Sequence, residues 1–319
     1  MTSAACKLPI VFLMGPTASG KSELAMDLCE HFPFDIVSVD SAMVYRGLDI
    51  GTAKPSAEVL TNHPHRLIDI CEPSEVYSAG DFRRDALAEI GNIQAQGRIP
   101  LLVGGTGLYF RALESGIAEL PAADPDIRRR LEKEAAASSW QALHQRLREV
   151  DADSAARIHP NDPQRIQRAL EVHELSGRPL SAFFEGTGQR SLDAPLRKIA
   201  LVPGDRKVLH ERIRLRFAQM MEFGLLDEVK ALYRREELSA ETPSMKTVGY
   251  RQVWQYLEGK LDLPEMQEKA VVATRQLAKR QFTWLRSEQD IQCFDSLETD
   301  FRAKVLRFLT NDPMLKASV

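Results

Sequence analysis

The sequence predicts an α/β fold: a parallel-sheet core, interrupted by a helical insertion and completed by a helix-rich C-terminal part. Three observations predict it. Over the first 113 residues, short and almost continuously apolar runs alternate with helical patterns, as expected of strands covered by helices on both faces. From residue 126 to about 184 the chain reads as helical and charged, with no strand candidate. An apolar run at 197–202 then restores the strand pattern before two long helical stretches.

Taken in order, the strand candidates of the first part are residues 9–14, 34–39, 65–70 and 99–103. Helix candidates lie between them at 21–32 and 81–96, and Gly97 is a stop signal for the second. Leu120-Pro121-Ala122-Ala123-Asp124-Pro125 breaks the alternation, and a polar loop around 186–195 closes the insertion. A returning strand at 197–202, helices at 206–223 and 264–286, a short edge strand at 291–294 and a terminal helix complete the reading. The expected division is therefore a core begun by residues 1–120, an insertion at 121–195, and completion of the core with C-terminal helices at 196–319.

With 319 residues, the chain is about twice the length of a typical single domain. A hydrophobic fraction of 44% and a charged fraction of 27% are ordinary for a globular protein and exclude a disordered or fibrous one. The formal net charge of −3 excludes a polybasic protein that coats nucleic acid through bulk charge. Charge is unevenly spread, however: residues 206–286 carry 16 basic against 11 acidic side chains, so an anionic partner is expected to meet the C-terminal half. Cys6, Cys29, Cys71 and Cys293 are scattered and read as reduced thiols, neither a disulfide framework nor a zinc site. The apolar run at 10–14 is too short for a signal peptide, and no run approaches a membrane span. A soluble, cytoplasmic protein is expected.

Gly15-Pro16-Thr17-Ala18-Ser19-Gly20-Lys21-Ser22 fits G-x-x-x-x-G-K-[ST], directly after a strand candidate and directly before a helix candidate. Glycines let consecutive backbone N–H groups turn around a phosphate, and the helix N-terminus adds partial positive charge. Lys21 supplies a point charge, and the Ser22 hydroxyl is a candidate ligand for Mg²⁺. The motif predicts a site for a di- or triphosphate, ATP included, on a P-loop NTPase-like core. Asp40 ends the next strand candidate and is open to three readings: a metal ligand, a general base, or a cap of the following turn. Val103-Gly104-Gly105-Thr106-Gly107 follows the fourth candidate strand; it reads either as backbone that approaches a ligand closely or as a tight strand–helix turn.

At this point a resemblance enters. The chain is similar over nearly its whole length to the bacterial tRNA dimethylallyltransferases, also called tRNA isopentenylpyrophosphate transferases. The resemblance is carried by GPTASGKS at 15–22, DSAMVYRGLDIGTAKPS at 40–56, PHRLIDI at 64–70 and YSAGDFRRDA at 77–86. It continues in GRIPLLVGGTGLYFRAL at 97–113, HPNDPQRIQRALEV at 159–172, VGYRQVWQYLEG at 248–259 and TRQLAKRQFTWLR at 274–286. The family's loop often ends in Thr where this chain has Ser22, and both side chains present a hydroxyl.

The resemblance implies transfer of a dimethylallyl group from dimethylallyl diphosphate to N6 of the adenine on the 3′ side of a tRNA anticodon, with Mg²⁺ and release of diphosphate. Asp40 would take the proton of the adenine amine, Lys21 would hold the diphosphate, and Thr106 would sit against the diphosphate or the base. Arg212 and Arg216, one helical turn apart on one face, are candidates either for further diphosphate contacts or for a solvated helix face. Ser41, Ala42 and Met43 would line the pocket of a base drawn out of its stack. Arg128 and the run Gln164, Arg165, Ile166, Gln167, Arg168 would approach the anticodon stem-loop from the insertion. Lys246, Thr247, Val248, Gly249, Tyr250 and Arg251 would contact the loop from the other side, with Tyr250 as a stacking residue. No membrane partner is implied, and the protein is expected to act as a monomer. Three competing readings remain: a small-molecule kinase, an enzyme that prenylates free adenine nucleotides, and an RNA-binding protein that keeps its nucleotide site only for structure.

Overall fold

The computed structural model describes residues 8–118, 120–184 and 192–316. Two compact units emerge: Met1–Leu113 with Leu192–Val319, and Glu114–Ser191.

The first unit begins with strand β1 (Ile10–Met14), helix α1 (Lys21–His31), strand β2 (Phe34–Val39), helix α2 (Ala57–Asn62), strand β3 (His65–Arg66), helix α3 (Ala79–Ala95), strand β4 (Ile99–Gly104) and helix α4 (Gly107–Ser115). The second unit holds α5 (Pro125–Ala137), α6 (Trp140–Val150), α7 (Ala152–Arg157) and α8 (Pro163–Ser176). The chain then supplies β5 (Leu196–Val202), α9 (Arg206–Glu222), α10 (Leu225–Tyr233), α11 (Tyr250–Leu257), α12 (Leu263–Leu285), β6 (Ile291–Asp295), α13 (Phe301–Thr310) and α14 (Pro313–Lys316).

The six strands form one sheet in the order β3-β2-β4-β1-β5-β6, with every pairing parallel. All five residues of β1 are buried. Its alternation explains the unbroken apolar run: Ile10, Phe12 and Met14 pack with Phe82, Ile90 and Phe110 on one face, while Val11 and Leu13 pack with Leu24, Leu28 and Leu309 on the other. Burial of each such side chain contributes about 1.5–3 kcal/mol. A parallel sheet places the carboxyl ends of all its strands along one edge. Because β4 lies between β2 and β1, the turn after β4 stands between the residue after β2, Asp40, and the loop after β1.

One strand candidate shrinks. Only His65–Arg66 of 65–70 pairs in the sheet. Leu67 and Asp69 adopt left-handed backbone angles (φ 63° and 56°), which turn the chain away, and the N–H groups of Asp69 and Ile70 bond to the carbonyls of Met43 and Val44 instead. Helices α2, α4, α10 and α11 have no counterpart in the sequence reading. All four are nine residues or shorter, too brief to announce themselves by periodicity.

A further core joins Val44 and Leu48 to Leu225, Val229, Tyr250, Trp254 and Met266. It anchors the chain after β2 to the C-terminal helices. The long helix α12 starts from a capping box of Asp262 and Glu265 and turns Met266, Ala270, Ala278, Gln281 and Leu285 inward.

In the second unit, Asp124 and Asp162 cap α5 and α8, each followed by Pro at the first helical position. Leu131, Leu143, Leu147, Ile166, Leu170 and Val172 fill its core. Glu171 is fully buried there; it accepts from the backbone N–H of Asp124 and from the guanidinium groups of Arg128 and Arg168. Despite desolvation, those hydrogen bonds hold its carboxyl below the usual range, as a buried charge requires.

Candidate active site

A cleft of about 1740 Å³ opens at the carboxyl edge of the sheet in the first unit. It is lined by Thr17–Ser22 of the loop after β1, Asp40–Met43 after β2, Thr106 after β4, Arg212 and Arg216 on α9, and residues 246–249. The volume exceeds the usual range for a site that holds one small ligand.

The loop after β1 passes under β5. At Gly15 a Cβ would stand 2.4 Å from the Leu201 carbonyl oxygen, so no larger residue fits without a shift. Ala18 (φ 61°) and Gly20 (φ 90°) adopt left-handed conformations that curl the chain ahead of α1. Ser19 is buried, and the Lys21 ammonium folds back to donate to the Pro16 carbonyl (2.6 Å) and the Ser19 hydroxyl (3.4 Å).

Lys21 is short of negative charge. Burial and the nearby Arg216 guanidinium lower its pKa to about 7, against a smaller opposing pull from Asp40. Arg216 is itself pushed down by burial. It donates to the Thr17 hydroxyl (3.4 Å) and the Thr52 carbonyl (3.3 Å), but to no carboxylate among the described residues. A third cation in the cleft behaves differently: Lys54 is ion-paired with both Asp49 and Asp69. Two half-buried cations with no ion pair among the described residues therefore face one cavity, which is the electrostatic signature of an anion site.

Opposite them, one carboxylate oxygen of Asp40 accepts the backbone N–H groups of Ala42 (2.8 Å) and Met43 (3.2 Å). The turn-cap reading of Asp40 is thus realised by one oxygen only, and the other has no hydrogen bond to a described residue. The Thr106 hydroxyl accepts the N–H of Ser41 (3.3 Å) and so ties the turn after β4 to the chain that carries Asp40.

Tyr250 requires a correction. Its ring is fully buried and is no surface on which a base could stack. Its hydroxyl donates to Glu228 and accepts from the Gly51 N–H (3.1 Å); burial and Glu228 raise its pKa. A Cβ on Gly51 would stand 2.4 Å from this ring. Glu228 also accepts the N–H groups of Asp49 and Ile50. Together Glu228 and Tyr250 build the loop that presents the Thr52 carbonyl to Arg216. Accordingly, Tyr250→Phe is expected to destabilise the fold by about 1 kcal/mol in chemical denaturation. A solvent-facing stacking residue would leave the midpoint unchanged.

Other sequence candidates are placed as follows. Gly15 and Pro16 support the loop without lining the cleft, and neither does Arg251, which is exposed. Lys246 lines it while paired with Glu241 (2.8 Å). In the second unit Ile166 is a core residue, so its side chain cannot meet a partner; this too is a correction. Arg128 and Arg168 are engaged by Glu171, and Gln167 bonds to the Arg128 carbonyl and Glu132. Gln164 and Arg165 are exposed, Arg165 resting on Asp162 at 3.3 Å.

Comparison with known proteins points one way. The profile of the IPP transferase family matches residues 43–288. The chain is 58% identical to a tRNA dimethylallyltransferase of Thioalkalivibrio sulfidiphilus over 299 residues, 94% of this chain and 93% of that protein. Its fold is similar to the crystal structure of a tRNA isopentenylpyrophosphate transferase from Bacillus halodurans (TM-score 0.71, 37% identity, 98% of each chain). It is also similar to a eukaryotic dimethylallyltransferase captured acting on tRNA (TM-score 0.80, 26% identity, 96% of this chain and 79% of that one). A parallel sheet, a cation-lined cleft and a family match across three quarters of the sequence agree: the chain belongs to the IPP transferase family.

Proposed function

We propose that this protein transfers the dimethylallyl group of dimethylallyl diphosphate to N6 of the adenine immediately 3′ of a tRNA anticodon and releases diphosphate. The observation that carries the reading is the pair of cations, Lys21 and Arg216, that make no ion pair among the described residues and line one cleft with Asp40. In the reaction the allylic C–O bond breaks and its electron pair leaves with the diphosphate. The adenine N6 lone pair forms the new C–N bond, and the N6 proton passes to the free oxygen of Asp40. Lys21, Arg216 and the loop amides stabilise charge as it grows on the departing diphosphate, in a geometry set before the reaction begins. The backbone bonds to the other oxygen of Asp40 keep its carboxylate aimed during proton transfer.

Mg²⁺ fits the same edge. The Ser22 hydroxyl lines the cleft beside Lys21, has no other partner among the described residues and is a hard oxygen donor. A bound Mg²⁺ would neutralise diphosphate oxygens. The exposed Gln164 and Arg165 support a role of the second unit in meeting tRNA phosphates.

Incubating the protein with radiolabelled dimethylallyl diphosphate and an unmodified tRNA that carries adenines 3′ of its anticodon tests the reading. Label is expected in the tRNA. Label in AMP alone would replace it with an adenine-nucleotide prenyltransferase, and ATP consumption without label transfer would replace it with a kinase.

A further inference from the structure

Gln281 lies on the inward face of α12 and is only 8% exposed. A buried side-chain amide is costly unless both its ends are satisfied. Here the partners come from two loops far apart in sequence. Its Oε1 accepts the N–H of Thr17 at 2.8 Å, and its Nε2 donates to the carbonyl of Gly105 at 3.0 Å. The assignment of the amide is fixed by these partners, since one is a donor and the other an acceptor. The fit is close: a Cβ on Gly105 would lie 2.3 Å from Gln281 Nε2 and 3.1 Å from the Gly15 carbonyl oxygen.

Each end connects to a reactive group. Thr17 carries the hydroxyl that receives Arg216, on the diphosphate side. Gly105 precedes Thr106, whose hydroxyl receives the Ser41 N–H next to Asp40, on the base side. The two sides are thus joined by a continuous path: Arg216, Thr17, Gln281, Gly105, Thr106, Ser41 and Asp40. In a transfer between two bound substrates, the separation of these sides sets the distance between the electrophilic carbon and the attacking nitrogen.

Building on the proposed prenyl transfer, we infer that Gln281 is a positioning residue that fixes the spacing between the diphosphate cradle and the base-activating side of the site. Gln281 falls within the stretch 274–286 that carries the resemblance, with no role assigned to it there. A polar residue at an inward position of an otherwise apolar helix face was the available signal.

The test compares wild type, Gln281→Leu and Gln281→Glu. Three quantities are measured: kcat for label transfer at saturating tRNA and donor, affinity for inorganic diphosphate, and melting temperature. Gln281→Leu removes both hydrogen bonds and is expected to lower kcat about 100-fold, with diphosphate affinity within about threefold of wild type. Gln281→Glu keeps the shape and the acceptor for Thr17 but sets a carboxylate against the Gly105 carbonyl. Its kcat is expected to fall by at least about tenfold at a temperature where its melting curve shows it fully folded. A wild-type kcat in the folded Glu variant, or a kcat loss in the Leu variant that merely tracks loss of folded protein, would overturn the assignment. Wild-type protein that transfers no label to tRNA would instead overturn the underlying reading of the site.

Discussion

Asp40→Asn is expected to lower dimethylallyl transfer about 1000-fold, in line with the loss of a positioned general base, while inorganic diphosphate binds at least as tightly as to wild type. The substitution is nearly isosteric. The amide oxygen still accepts the N–H groups of Ala42 and Met43, so the turn after β2 and the Thr106 bond to Ser41 survive. What disappears is the oxygen that takes the adenine proton. At pH 6, where Lys21 is charged, removing a negative charge from a cleft that binds an anion does not weaken that anion electrostatically, which gives the second half of the expectation its sign. Rapid-quench transfer assays and calorimetry with diphosphate measure the two halves separately. Transfer within about tenfold of wild type would remove Asp40 from the role of base and return it to its turn-capping one.

How much of this was legible in the sequence follows from where each signal resides. The loop after β1 was legible because its chemistry is local: eight consecutive residues carry the glycines, the lysine and the hydroxyl. Asp40 was legible as a position, the end of a strand, but its three readings separate only in space. One oxygen caps the turn, the other has no hydrogen bond to a described residue, and the side chain belongs to a residue that lines the cleft. Tyr250 was misread because an aromatic beside Lys246 and Arg251 looks like a stacking residue. Burial against Gly51 and Glu228 depends on segments about 200 and 22 positions away, and no neighbouring residue announces them. Ile166 was carried along inside a polar run, although its helical phase with Leu170 already marked it as core. Arg216 was paired with Arg212 by spacing alone. Its actual partners, Thr17 and the Thr52 carbonyl, belong to loops that the parallel sheet and the C-terminal helices bring together. Local motifs and periodicity could be read from the sequence; contacts between loops could not.

Lys21→Met should cost most in donor affinity, and its effect should carry a distinctive pH signature. Truncating one member of a desolvated charge pair typically costs about 2–5 kcal/mol, so diphosphate is expected to bind at least about 30-fold more weakly at pH 6.5. In the ligand-free site, burial and Arg216 lower the Lys21 pKa from 10.5 to about 7. A bound diphosphate supplies the missing counter-charge and raises it again. Binding above pH 7 must therefore take up a proton, and wild-type affinity is full below about pH 7 and declines as pH rises toward the pKa of the bound state. Folding has the complementary sign. The unfolded chain binds more protons at this position between about pH 7 and 10.5, so Lys21 makes ligand-free stability rise with pH across that window and costs most stability below it. Lys21→Met is consequently expected to melt above wild type at pH 6 without ligand, yet to gain less from added diphosphate. Calorimetry at pH 8 in buffers of different ionisation enthalpy counts the protons taken up. An uptake that is the same in wild type and Lys21→Met would show that Lys21 already carries its charge before the diphosphate arrives, and that the cradle is not held in the electron-poor state argued above.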